Sequence, residues 1–306
     1  MCSPKSSLII PTYNEENALP LVIEEYMDKV DEIIVVDDGS SDKTYEIAKK
    51  YEKPNVKIYK HKKNMGKVAA LRTGVANSSG EIIIFTDADY TYPAKYIPLL
   101  ISEIEKGADL VLGSRFLGGI NNMPFLNVIG NRIFSIIATY ISCVNITDGQ
   151  TGYRAFKRDL FDKLDVNAKS LEYETKMTMR AAKLGYNIVE IPIEYRERIG
   201  YSKLKPIRDG IKMFRGLISI AWDETSFIAK TILVTSLFFI SIGLVFGLIS
   251  IYEKIMFGVL SHGYYPLIAV LFILISIQIC SFGIIIDYLF KKLERIEEKI
   301  GKLYNK

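Results

Sequence analysis

Cysteine and histidine are scarce: the 306 residues include three of the first and two of the second. Cys2, Cys143 and Cys280 stand far apart, and no Cys-x-x-Cys pair or Cys/His cluster occurs. That excludes a disulfide framework and a structural zinc site, and suits reduced thiols in a cytoplasm-facing domain. A secretory signal is missing too. Met1-Cys2-Ser3-Pro4-Lys5 runs straight into a short apolar strand without a long hydrophobic segment, so the soluble part is expected to stay in the cytoplasm. A strong excess of one charge is also absent. The net charge of +4 is too small to argue for nucleic acid, and no such partner is expected. Internal repeats and low-complexity tracts do not occur.

What is present is unevenly spread. Hydrophobic residues make up 49% of the chain. The first two thirds alternate short apolar runs with amphipathic stretches. Leu8 to Ile10, Glu32 to Val36, Val56 to Tyr59, Ile82 to Phe85 and Asp109 to Leu112 read as strands. Ala18 to Val30, Thr44 to Tyr51, Val68 to Ala76 and Tyr96 to Lys106 read as helices. Unbroken apolar strands separated by helices predict an α/β domain with a mostly parallel sheet covered on both faces. Ligands of such sheets bind beyond the carboxyl ends of the strands. Three polar clusters fall there: Pro11-Thr12-Tyr13-Asn14-Glu15, Asp37-Asp38-Gly39-Ser40 and Thr86-Asp87-Ala88-Asp89. Two carboxylates one residue apart can both reach one hard divalent cation, which then neutralises a diphosphate. Asp87 and Asp89 are therefore the candidate ligands of Mg2+ or Mn2+.

The remaining third points to a membrane. Pro124 to Val144 is mostly apolar at helical spacing, but Asn127, Asn131 and Arg132 interrupt it. Arg132 would be costly in hydrocarbon, so this helix either lies in the membrane interface or packs on the domain core. In Leu204 to Trp222 a stripe of Ile207, Ile211, Phe214, Ile218 and Trp222 is flanked by Lys205, Arg208, Lys212 and Arg215, as in a membrane-surface helix. Thr231 to Tyr252 and Tyr265 to Phe290 are each long enough to span a bilayer, with Asp287 as their one charge. Lys and Arg outside the pair place both termini in the cytoplasm around a hairpin. The hairpin also offers a surface for homo-oligomer formation.

Seven stretches carry a resemblance. PTYNE (11–15), VVDDGSSD (35–42), NMGKVAALRTG (64–74), TDAD (86–89), GSRFLGG (113–119), DGQTGYRAF (148–156) and GYSKL (200–204) resemble family-2 glycosyltransferases of the GT-A fold. More narrowly they resemble the dolichol-phosphate mannose synthase branch, with its bacterial polyprenyl-phosphate glycosyltransferases. The resemblance implies a GT-A domain over 1–203, the amphipathic helix at 204–226, a membrane hairpin at 227–292 and a basic tail at 293–306. It implies a nucleotide-sugar donor, a polyprenyl or dolichyl phosphate acceptor and inversion at the anomeric carbon. Pro11, Tyr13, Glu15, Asp37, Asp38 and Lys67 would hold the donor with Asp87. Arg115 and Arg132 would lie near the acceptor phosphate. Arg198, Ser202 and Lys203 match a loop that closes over the phosphates, with Asp89, Arg115, Arg198 and Lys203 central to catalysis. Glu172 and Glu174 match a family position but would equally cap the following helix. Asp148 either positions Arg154 or caps a turn. One departure stands out: Thr91 occupies the place where mannose synthases often carry a metal-site Gln, so either Thr91 or water would complete the shell, or the donor differs from GDP-mannose.

Two other readings compete. Processive polysaccharide synthases share the motifs as far as Asp-x-Asp but carry Gln-x-x-Arg-Trp, whereas here Tyr153-Arg154-Ala155 follows Gln150 without that Trp. A non-catalytic nucleotide-sugar-binding membrane subunit would not need the intact Asp87/Asp89 pair and its cations.

Overall fold

Strand and helix alternate from the start because runs of three to five apolar residues are each followed by a turn and an amphipathic stretch. A computed structural model describes residues 5–119, 125–164, 173–200, 215, 222 and 225–304. Ser202, Lys203, Glu172 and most of the 204–222 segment lie outside them. The described residues divide into two units, 1–218 with 295–306 and 219–294.

In the first unit seven strands form one sheet in the order β3-β2-β1-β4-β6-β5-β7. They are β1 (Ser6–Thr12), β2 (Glu32–Asp37), β3 (Val56–Lys60), β4 (Ile82–Phe85), β5 (Leu110–Ser114), β6 (Arg154–Lys157) and β7 (Ile188–Pro192). All neighbours pair parallel except β6, which runs antiparallel between β4 and β5. The helices are α1 (Leu19–Tyr26), α2 (Thr44–Lys49), α3 (Lys67–Ala76), α4 (Ile97–Glu105), α5 (Arg115–Gly118), α6 (Phe125–Ser142), α7 (Arg158–Leu164) and α8 (Tyr173–Lys183). The expected mostly parallel α/β sheet is present. The sequence pattern does not predict β6 and β7. β6 is only four residues long and mixes Arg154 and Lys157 with Ala155 and Phe156, so no apolar run announces it.

Strands β1, β2 and β4 are buried along nearly their whole length. Each fully buried Ile, Leu or Val there contributes about 1.5–3 kcal/mol relative to exposure. Their parallel register brings Thr12, Asp37 and the segment after Phe85 to one edge, which is why the three polar clusters converge.

The opposite edge is tied by one buried acid. Glu32 accepts hydrogen bonds from Ser7 Oγ (2.6 Å), Ser79 N (2.7 Å) and Lys57 Nζ (2.7 Å), linking β1, β3 and the approach to β4.

The second unit holds most of two long helices, α9 (Phe227–Phe257) and α10 (Tyr265–Tyr304). Both are long and apolar enough to cross a membrane, with mean hydropathy 2.6 and 2.7 and only 11% and 17% of their most apolar windows buried. Gly243 lets the helices approach: a Cβ there would lie 2.9 Å from the Ala269 carbonyl oxygen. Ser276 Oγ donates to the Ser236 carbonyl at 2.7 Å, and Asp287 accepts from Ser226 N at the start of α9 (2.8 Å) while pairing with Lys291. Asp287 thus joins the two helices rather than standing alone. Helix α10 runs on through Tyr304, so the residues read as a basic tail are helical that far.

Burial alone would raise the Glu32 carboxyl, but its Lys57, Ser7 and Ser79 bonds hold it down at about 2. Its folded value lies below the ordinary unfolded value of about 4.3. Its stabilisation is therefore full above that value and lost as pH falls through about 2. Glu32→Gln should cost about 1–3 kcal/mol at neutral pH and flatten the acid limb of stability. Thermal unfolding of the full chain in detergent between neutral and acid pH measures both.

Candidate active site

Strand β4 ends at Phe85, and the chain then turns sharply. Tyr90 in this turn has a φ of 67°, and Asn14 on the loop after β1 has one of 52°. Few non-glycine residues adopt this conformation, and it persists where surrounding contacts fix it. At Tyr90 the contacts come from Arg196: its guanidinium lies 4.7 Å from the Tyr90 ring centroid and holds Glu25 at 2.7 and 3.0 Å. The backbone after β7 runs alongside, with Arg196 N donating to the Thr91 carbonyl and Ile199 N to that of Asp89.

Asp87 and Asp89 stand in this turn with different partners. Lys67, the first residue of α3, places Nζ 2.7 Å from Asp87 Oδ1 and 2.8 Å from Glu174 Oε1 on α8. Asp89 Oδ1 accepts from Thr91 Oγ1 at 2.6 Å, and Oδ2 faces Arg198 Nη1 at 3.2 Å. Arg198 also pairs with Glu15. Desolvation would raise both carboxyls. At Asp87 the Lys67 ammonium, with Arg115 and Arg198, outweighs it and holds the carboxyl below its ordinary range. At Asp89 desolvation and the Asp87 charge prevail and push it up. Lys67 is itself held above its ordinary range by Asp87 and Glu174, against desolvation.

Glu15, Lys67, Asp87, Asp89 and Arg198 therefore meet in one network, together with Glu174. Thr91 spends its hydroxyl on orienting Asp89. Arg115 is buried, with Nε 2.7 Å from Asp148 Oδ2 and Nη2 2.8 Å from Oδ1. Asp148 accordingly neither positions Arg154 nor serves only as a turn cap; it locks Arg115. Arg154 is wholly buried and donates to the carbonyls of Thr151 and Glu174. Asp38 is engaged inside the protein, accepting from Met65 N (2.9 Å) and Gly66 N (2.7 Å) and bonding His61 Nδ1 (2.7 Å). It braces the loop that delivers Lys67. Asp37 is buried beside it; Oδ1 accepts from Ser40 N, while Oδ2 has no hydrogen-bond partner among the described residues and faces Lys60 Nζ at 3.9 Å. Pro11 and Tyr13 lie at the end of β1 and just beyond it. Arg132 is exposed on α6, its guanidinium 5.6 Å from the Phe116 ring centroid.

Gly152 has a role that no sequence spacing discloses. A Cβ there would fall 2.6 Å from Asp87 Oδ2, so only glycine lets the carboxylate keep its place. Its N–H donates to Tyr92 Oη at 3.0 Å.

A mostly parallel sheet with an Asp-x-Asp pair beyond a central strand defines a GT-A-type architecture. The chain belongs to glycosyl transferase family 2, whose model matches residues 7–165, and it is a glycosyltransferase. It is 33% identical over 221 residues to a dolichyl-phosphate hexose transferase of Haloferax volcanii, covering 71% of this chain and 94% of that one. It is 30% identical to a polyprenol monophosphomannose synthase of Mycolicibacterium smegmatis, over 65% of this chain and 81% of that one. Glycosyltransferase AglJ of Haloferax volcanii is 30% identical over 301 residues, 95% of this chain and 97% of that one. Among solved structures, glucosyl-3-phosphoglycerate synthase from Mycobacterium tuberculosis, in complex with Mn2+, UDP and phosphoglyceric acid, superposes with a TM-score of 0.58. That match has 21% identity and covers 72% of this chain and 78% of that one, a likeness of fold.

Gly152→Ala should lower sugar transfer roughly a hundredfold by displacing Asp87 while leaving the melting temperature nearly unchanged. Steady-state transfer assays beside thermal melts check this; normal turnover would show that Asp87 tolerates the shift.

Proposed function

We propose that this protein transfers a hexosyl group from a nucleotide-sugar to a polyprenyl or dolichyl phosphate at the cytoplasmic face of a membrane. One observation carries the reading: the carboxylates gathered at the site are matched to cations. Asp87 and Glu174 share Lys67, Asp89 and Glu15 share Arg198, and Asp148 holds Arg115. A sugar hydroxyl acceptor would need a general base with a free carboxylate or imidazole. A phosphate monoester, with a second pKa of about 6, arrives ionised and needs only positioning and charge compensation. The relatives named for dolichyl-phosphate and polyprenol substrates support the same acceptor class.

Asp87 and Asp89 would hold Mg2+ or Mn2+. The ion's other oxygens would come from the donor diphosphate and water. When bound, the cation offsets the charge of the departing diphosphate. Lys67 and Arg198 lie where they would orient the diphosphate, and Lys203 would join them. Arg115, fixed by Asp148, directs its charge toward Asp87. Direct attack by the acceptor phosphate inverts the anomeric carbon, giving a β-linked product from an α-linked donor.

Helices α9 and α10 supply the membrane hairpin in this reading, with Lys and Arg flanks facing the cytoplasm. Exposed Phe125, Ile129, Ile133 and Ile136 on α6 add an interfacial surface.

The test is transfer from a panel of labelled nucleotide-sugars to a polyprenyl phosphate by the full chain in detergent. Transfer of one sugar is expected, abolished by excess EDTA and by Asp89→Ala, with the β configuration read from NMR coupling constants. Activity persisting in EDTA, or an α-linked product, contradicts the mechanism.

A further inference from the structure

The carboxylate pair assigned to a divalent cation already has cations of its own. Lys67 Nζ is 2.7 Å from Asp87 Oδ1 and Arg198 Nη1 is 3.2 Å from Asp89 Oδ2. Neither cation has that carboxylate as its only anchor. Lys67 also reaches Glu174 Oε1 at 2.8 Å, and Arg198 also pairs with Glu15. Lys67 is delivered from a fixed origin: Asp38 holds Met65 N and Gly66 N, and α3 begins at Lys67 itself. Glu174 is buried at the start of α8.

A divalent ion on Asp87 and an ammonium in hydrogen-bond contact with the same carboxylate repel each other strongly at this separation. A metal ion arriving alone must therefore displace a tethered competitor. A nucleoside diphosphate changes the balance, because its oxygens offer Lys67 and Arg198 a second anion. Among the described residues, Arg198 Nε is buried without a hydrogen-bond partner, a donor in want of such an oxygen.

Resting on the metal-assisted reading above, we propose that Lys67 is the resident counter-ion of the metal subsite, with Glu174 as its alternate anchor, so that the divalent cation enters together with the donor diphosphate and not before it. Cation and diphosphate then raise each other's affinity by the same factor, as linkage requires. Glu174 is a positioning residue that acts through Lys67.

The experiment is Mn2+ titration of the full chain in detergent, followed by the EPR signal of free Mn2+, without nucleotide and with saturating UDP or GDP. Wild type should bind Mn2+ at least ~10-fold more tightly with the diphosphate it accepts, a coupling of about 1.4 kcal/mol. Lys67→Met should bind Mn2+ alone at least ~10-fold more tightly than wild type, with that coupling reduced; a misfolded variant cannot give this gain. Glu174→Gln should bind Mn2+ alone more weakly, since Lys67 then rests on Asp87. The double variant should match Lys67→Met, because an effect transmitted through Lys67 vanishes with it. Lys67→Met with no gain, or Glu174→Gln weakening Mn2+ equally in the Lys67→Met background, overturns the inference alone. Wild type that binds no Mn2+ with either diphosphate overturns the metal-assisted reading as well.

Discussion

Two carboxylates at the end of one strand repel each other, and the site is arranged to keep them together. Asp87 and Asp89 share a tight turn, so their mutual repulsion cannot be relieved by separation. The protein instead sets a cation on each, Lys67 on one and Arg198 on the other. The pair is asymmetric all the same: Lys67, with Arg115 and Arg198, holds the Asp87 carboxyl below its ordinary range, while desolvation and the Asp87 charge raise Asp89 against the pull of Arg198. The cations come from distant places in the chain, the start of α3 and the segment after β7. The sheet order that brings β1, β2, β4 and β7 into one layer is thus a requirement of the electrostatics as well as of burial.

The turn itself is held from outside. Tyr90 adopts a left-handed backbone, and the Arg196 guanidinium stacks over its ring while gripping Glu25 on α1. Two backbone bonds from residues 196 and 199 to Thr91 and Asp89 fasten the same stretch. The segment after β7 is therefore anchored on the Asp-x-Asp turn as far as Ile199, the same segment that supplies Arg198 to Asp89.

How much of this the sequence discloses depends on range. The central strands were legible because buried parallel strands are short apolar runs, and the Asp-x-Asp pair because its spacing has a chemical use. β6 was hidden, since four residues with Arg154 and Lys157 at their ends resemble a loop. Pairings between remote residues were hidden as well. Asp148 admitted two local roles, yet its partner is Arg115, 33 residues earlier. Gly152 sat inside the DGQTGYRAF stretch, but its own requirement was hidden, because it is the space occupied by the Asp87 carboxylate. Asp38 looked like a donor ligand by position, but both of its oxygens brace the loop before Lys67.

Helix α6 has one buried and one exposed apolar face. At 100° per residue, Phe134, Ala138 and Ile141 lie on one side, and these are buried. Phe125, Ile129, Ile133 and Ile136 lie opposite and are exposed, Phe125 by 75% and Ile136 by 67%. Arg132 belongs to the exposed side by the same count. Soluble monomers seldom leave such a stripe uncovered; the buried face answers to the core helix read from the sequence, and the exposed stripe is what the proposed interfacial role would use. The buried face packs on α8, and α8 carries Glu174 near its start. Through Glu174 it meets Lys67, and through Lys67 it meets Asp87. In the proposed reading, a helix with an exposed apolar stripe is thus joined to the Asp87 carboxylate by a single intervening helix, which would give a short path between a lipid acceptor and the charges proposed to receive the donor.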